Sequence, residues 1–249
     1  MNANISDHGS ASNMRQRNVG GKPQNPKVPI KARSATWLVV ALILLSAIPI
    51  AAGAFRLREL AGGAEITPAN ARFFASPLPV VLHIVSVTLY AILGAFQFVP
   101  GLRRRRHAWH RMAGRIVLPS GLIVALSGLW MTLFYRMPAY DGDLVYGLRL
   151  LFGSAMLLSL LLGVVALWRR DFVQHGNWML RGYAIGLGAS TQVLTGFAAA
   201  LIADPPNELS RALLMGAGWV INLAVAEWII HRRPAPPVRK IAATTSQLQ

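Results

Sequence analysis

The chain has 249 residues, 54% of them hydrophobic and only 14% charged. A soluble domain carries about 25% charged residues, so the composition excludes an ordinary soluble globule and points to an integral membrane protein. No cysteine is present, which excludes disulfides, thiol catalysis and cysteine-ligated zinc or iron–sulfur centres. The formal net charge of +16 invites a nucleic-acid reading, but the placement of the charges speaks for membrane topology instead.

Residues 1–35 are rich in Asn, Ser, Gly and Pro with scattered positive charge, and read as a disordered basic tail. The first apolar stretch, 36–55, ends in Ala52-Gly53-Ala54, which resembles a signal-peptidase site. Its polar lead is long and its core spans the whole stretch, so an uncleaved helix is expected. The link at 56–79 carries Arg56, Arg58, Glu59, Glu65 and Arg72 before Pro77 and Pro79, with a short interfacial helix expected around 69–74. Five further apolar stretches follow at 80–99, 112–135, 146–168, 178–202 and 212–230. Each meets the roughly 20 residues needed to cross about 30 Å of hydrocarbon. Glycines within them (Gly94, Gly128, Gly153, Gly186, Gly188, Gly216, Gly218) favour close helix contact in lipid. The links at 137–143, with Tyr140, Asp141 and Asp143, and at 204–208 read as tight turns. Residues 231–249 form a second disordered basic tail.

The predicted fold is therefore all-α: six transmembrane helices over 36–230. Seventeen Lys and Arg fall in the two tails and the links they share a side with, against five in the alternate links. That bias places both termini in the cytoplasm, in an inner membrane of bacterial type. Arg103-Arg104-Arg105-Arg106 reads as a topology anchor that also meets anionic headgroups, not as a nucleic-acid site.

Two stretches repeat one layout. His110-Arg111-Met112-Ala113-Gly114-Arg115 opens one apolar helix, and His175-Gly176-Asn177-Trp178-Met179-Leu180-Arg181 opens another. In the six-span topology both histidines lie at the cytoplasmic face, with Arg115 and Arg181 about 8–9 Å deeper. An arginine there wants an anionic partner. Glu227 is the carboxylate within a span at comparable depth, and Gln97 and Trp178 are near that level. Such a set is either an ion-paired helix contact, a haem, metal or quinone site, or a place for an anionic substrate or lipid.

His83 is expected one or two turns below the opposite surface, with Arg149 as its neighbour there, and too far from His110 and His175 to share a metal with them. A two-haem arrangement wants a histidine pair at each face, and only one face offers it. His8, His107 and His231 carry no site signal. No His-Glu-x-x-His zinc motif is present.

The same residues carry a resemblance. Leu82-His83, Gly94-Ala95-Phe96-Gln97-Phe98-Val99-Pro100 and His110 to Arg115 resemble the bacterial membrane family called domain of unknown function 2306. His175 to Ala184 is similar to its second signature, His-x-x-Trp-Met-x-Arg-x-Tyr-Ala. The resemblance covers about 80–200 and marks His83, Gln97, His110, Arg115, His175, Trp178 and Arg181. In place of the family's Gly-rich, Phe-containing stretch this chain has Tyr140-Asp141-Gly142-Asp143. The resemblance implies no established activity.

The leading expectation is a haem- or quinone-binding redox membrane protein. His110 and His175 would be axial ligands of haem b, or one ligand and one quinone contact, with Arg115 and Arg181 facing propionates or a quinone oxyanion. The rival is a transporter or lipid-binding protein for an anionic ligand, and the third a structural subunit. The expected partners are the bilayer and its anionic headgroups.

Overall fold

The computed structural model describes residues 32–99, 106–138, 141–202 and 207–233. The residues 1–31, Arg103 to Arg105, Tyr140, 203–206 and 234–249, on which parts of the predicted tails and links fall, lie outside the described residues. The described residues form α-helices and turns, with no strand among them. In chain order the helices are α1 (Ala32–Gly62), α2 (Ala71–Ala75), α3 (Pro77–Gln97), α4 (His107–Phe134), α5 (Asp143–Trp168), α6 (Phe172–Gly186), α7 (Gly188–Ile202) and α8 (Glu208–His231).

Helices α1, α3, α4, α5 and α8 are each long and apolar enough to cross a membrane. The shortest, α3, has 21 residues, about 31 Å at 1.5 Å per residue. Their outward faces are apolar: Trp37 is 71% exposed, Leu44 67% and Phe134 66%. Large aliphatic and aromatic side chains take such positions when the surrounding medium is lipid.

Two elements depart from the expected boundaries. Helix α1 starts four residues inside the predicted tail and runs unbroken through Ala52-Gly53-Ala54 to Gly62, so the following link is shorter than expected and holds α2 near its predicted place. The apolar stretch 178–202 is not one helix but parts of two, α6 and α7, of 15 residues each. They meet at Leu187, between Gly186 and Gly188. Both glycines face aromatic rings, Tyr90 and Trp219 respectively, and a Gly pair with crowding rings is a usual cause of a helix break in lipid.

The core lies where α3, α4, α5 and α6 meet. Tyr90, Val124, Phe152, Met156, Leu160 and Tyr183 are buried together, and Leu160 has no exposure. Helix α3 packs on α4, α5 on α6, α7 on α8, and α1 on α3. Successive long helices run antiparallel, so the bundle has two ends. Asp141 marks the one where α1 finishes and α3, α5 and α8 begin; Glu227 marks the other.

Candidate functional site

At the Glu227 end, α6 presents His175, Trp178 and Arg181 at spacings of three, which places them along one helix face. Arg181 donates to Glu227 of α8 through Nε (2.5 Å) and Nη2 (2.9 Å), the two-pronged geometry that fits guanidinium to carboxylate. Its guanidinium also lies 4.6 Å over the Trp178 ring. Arg233 donates to Asn177 at 2.8 Å. His175 donates from Nδ1 to the Gly163 carbonyl of α5 at 2.8 Å. A carbonyl can only accept, so that nitrogen carries the hydrogen and Nε2 of the neutral ring keeps its lone pair.

The first motif is arranged differently. Gln97 donates to the backbone carbonyl of His110 at 3.4 Å, tying the end of α3 to the start of α4. Helices α4 and α6 touch, yet Arg115 is exposed on the outward face of α4 beside Met112 and Ile116. Arg181 instead points at α8. The two motifs thus share a sequence layout but not an orientation. The reason is helical phase: Arg115 follows its histidine by five residues and Arg181 by six, a difference of about 100° around the axis.

The Asp141 end holds a cavity of about 380 Å³ among α3 to α8, within the roughly 300–1,000 Å³ usual for small-molecule sites. His83 and Arg149 both line it, with Arg72, Tyr135, Gln192 and Trp219. Its walls are otherwise largely apolar, with Val87, Val124, Met156 and Met215 among them. His83 Nδ1 lies 3.0 Å from the Ser127 hydroxyl, whose own hydrogen goes to the Ile123 carbonyl at 2.5 Å. Ser127 has only one hydrogen to give, so His83 donates to it, and His83 Nε2 is left as an acceptor.

Around the cavity, charge is organised by Asp141. Its side chain has no exposure and receives Arg149 of α5 at 2.5 Å and Arg211 of α8. One carboxylate thereby bridges two helices. Arg72 donates to the Arg136 carbonyl at 3.2 Å and, with Arg56, flanks the Phe73 ring at 4.7 and 4.5 Å. Burial, then repulsion from Arg149, holds the Arg72 guanidinium below its ordinary range, with Asp141 opposing the shift. Tyr135 donates to the Ser76 carbonyl at 2.5 Å, and burial raises its phenol above the usual value, so it stays a neutral donor. Arg72, Arg136 and Arg149 line the cavity, and among the described residues no carboxylate does.

The sequence alone singles out His83 and Arg149, whereas Asp141 reads there as part of a tight turn and Arg211 as one of the five basic residues in the alternate links. The in-span Arg149 was the available signal: a charge there requires an anion nearby, and Asp141 lies eight residues before it. Ser127, Gln192 and Trp219 had no distinguishing signal, being ordinary residues of apolar helices. Among the described residues no three His, Asp or Glu side chains are grouped to hold a metal ion.

An all-helical bundle with an apolar outer surface, several membrane-length helices and polar groups turned inward is a multi-pass membrane protein. Within that class, the family described as Predicted membrane protein (DUF2306) has a model that matches residues 80–230, and this chain belongs to it. The match takes in α8 as well as α3 to α7, further than the motifs alone reached, and leaves α1 outside. No curated protein and no solved structure matches the chain.

Proposed function

We propose that this is a six-crossing membrane redox protein that binds a quinone-type carrier in the cavity at the Asp141 end, with His83 and Arg149 as polar contacts. The supporting observation is His83, which lines a largely apolar cavity that arginines also line and whose Nδ1 is engaged by Ser127, leaving Nε2 as the acceptor. A hydroquinone hydroxyl can donate to that nitrogen, and a quinone oxygen can accept from a guanidinium. The apolar walls suit the ring and the start of an isoprenoid tail. Protein purified in mild detergent should yield a quinone on solvent extraction and mass spectrometry. His83→Leu, of similar bulk, should lower its occupancy by about three- to tenfold, the worth of one hydrogen bond. A preparation carrying a fatty acid or other anionic amphiphile in place of quinone would favour the rival class of carrier.

The six crossings come from counting α6 and α7 as one interrupted span. The bias of seventeen basic residues against five supports a cytoplasmic Glu227 end and cytoplasmic termini, with the cavity towards the outer face of a bacterial inner membrane. Reporter fusions at Arg106 and Arg170 should read cytoplasmic, and at Gly63 and Gly142 external. An external signal at Arg170 would overturn this topology.

A second reading, haem b held between His110 and His175, is favoured by one observation. His175 has its Nδ1–H engaged by a carbonyl, as ligating histidines usually do. Purified protein should then show a Soret band and a reducible α band, both lost in His110→Ala and in His175→Ala. A colourless preparation from haem-replete cells would remove this reading and leave the quinone reading standing.

A further inference from the structure

Arg115 is anomalous. It lies on a stripe of α4 made of Met112, Ile116, Pro119 and Ile123, all exposed on the outward face, so its neighbours face lipid. It makes no hydrogen bond or ion pair among the described residues, and neither does the side chain of Arg111, one turn earlier and also exposed. Like charges four residues apart repel on a helix, and α4 contains no acidic residue to relieve them. Arg106, exposed just before the helix, lines a shallow groove with Ala108, Trp109 and Met112. Three guanidiniums without a side-chain partner among the described residues, Arg106, Arg111 and Arg115, therefore alternate with Trp109, Met112 and Ile116 from the helix start into the span. Arg115 is eight residues beyond His107, about 12 Å along the axis, within snorkelling distance of a headgroup.

We infer that the start of α4 is a binding site for one anionic phospholipid, its phosphate held by Arg111 and Arg115 with Arg106 beside it, and its acyl chains along Met112, Ile116 and Ile123. The charges of this helix end at Arg115 and everything beyond it is uncharged, which matches a lipid's anionic head followed by its hydrocarbon. A soluble phosphate would satisfy the arginines but leave the apolar stripe unused. This site is separate from the cavity, and its test is independent of any quinone or haem.

The experiment uses the full chain in nanodiscs of mixed phosphatidylglycerol and phosphatidylcholine, released into mild detergent and weighed by native mass spectrometry. Phosphatidylglycerol should be retained above its bulk fraction. Arg115→Gln should reduce that enrichment about fivefold, the worth of one arginine near an anionic surface. Arg111→Gln with Arg115→Gln should abolish it, Arg115→Lys should keep most of it, and Arg58→Gln at the other end should leave it unchanged. Excess inorganic phosphate should not displace the lipid. Equal retention of the two lipids by the unaltered protein would overturn the site, whatever the variants do. So would enrichment that survives Arg115→Gln, or displacement by phosphate alone.

Discussion

Replacing Asp141 with alanine should cost about 3–5 kcal/mol, the usual penalty for removing one member of a buried ion pair. The carboxylate has no exposure, whereas Arg149 keeps 25% and Arg211 38%. Residual water at the two guanidiniums softens the penalty, which places the expected loss at the lower end of that range. The carboxylate also spans two helices, so its removal releases the start of α8 from the start of α5 and leaves like charges facing one another. Thermal unfolding of the detergent-solubilised protein, followed by tryptophan fluorescence, measures the effect. Arg149→Met in the Asp141→Ala background should recover part of the loss, because the orphaned charge is then gone. A loss under about 1 kcal/mol, the range of exposed pairs, would mean that Asp141 does not clamp the bundle. By the same reasoning Glu227→Gln should cost less than Asp141→Ala, since Glu227 is 37% exposed and Arg181 23%.

Gly94→Ala should destabilise the bundle by about 1–3 kcal/mol, the usual cost of overpacking. A Cβ at Gly94 would come 2.3 Å from Tyr183 Cε2 and 2.8 Å from Cδ2. The ring has little room to yield. Its hydroxyl donates to the Ala91 carbonyl at 2.8 Å, and its faces pack against Tyr90 and Phe98, with centroids 5.6 and 5.0 Å away. Either α3 and α6 separate or Tyr183 gives up its hydrogen bond. Gly114→Ala is the matched control: nothing lies within 4 Å of its added methyl, so helix propensity should stabilise it by roughly 0.5–1 kcal/mol. The same unfolding assay reads both, and equal midpoints for the two variants would contradict the close approach of α3 and α6.

Much of this molecule is legible in one dimension. Membrane character follows from uninterrupted apolar runs, because in hydrocarbon a helix must satisfy its backbone internally and needs about 20 residues to cross. The spans corresponding to α1, α3, α4, α5 and α8, the short α2, and the family motifs around His83, His110 and His175 all have local signals. The Arg181–Glu227 pair was legible as well, since an arginine in a span demands an anion and Glu227 is the carboxylate inside one.

What the tertiary structure alone decided is which of these groups meet. The break at Leu187 depends on rings from α3 and α8 pressing on Gly186 and Gly188, a contact that hydropathy does not register. Two motifs alike in sequence diverge because one extra residue turns Arg181 about 100° relative to Arg115, sending one arginine to a carboxylate and leaving the other exposed on the outer face of the bundle. The joining of Asp141 to Arg211, 70 positions apart, and of His83 to Ser127, 44 apart, arises only when the helices pack. Composition and periodicity report the medium each residue faces; partnership across helices is set by azimuth and depth, which exist only in the assembled bundle.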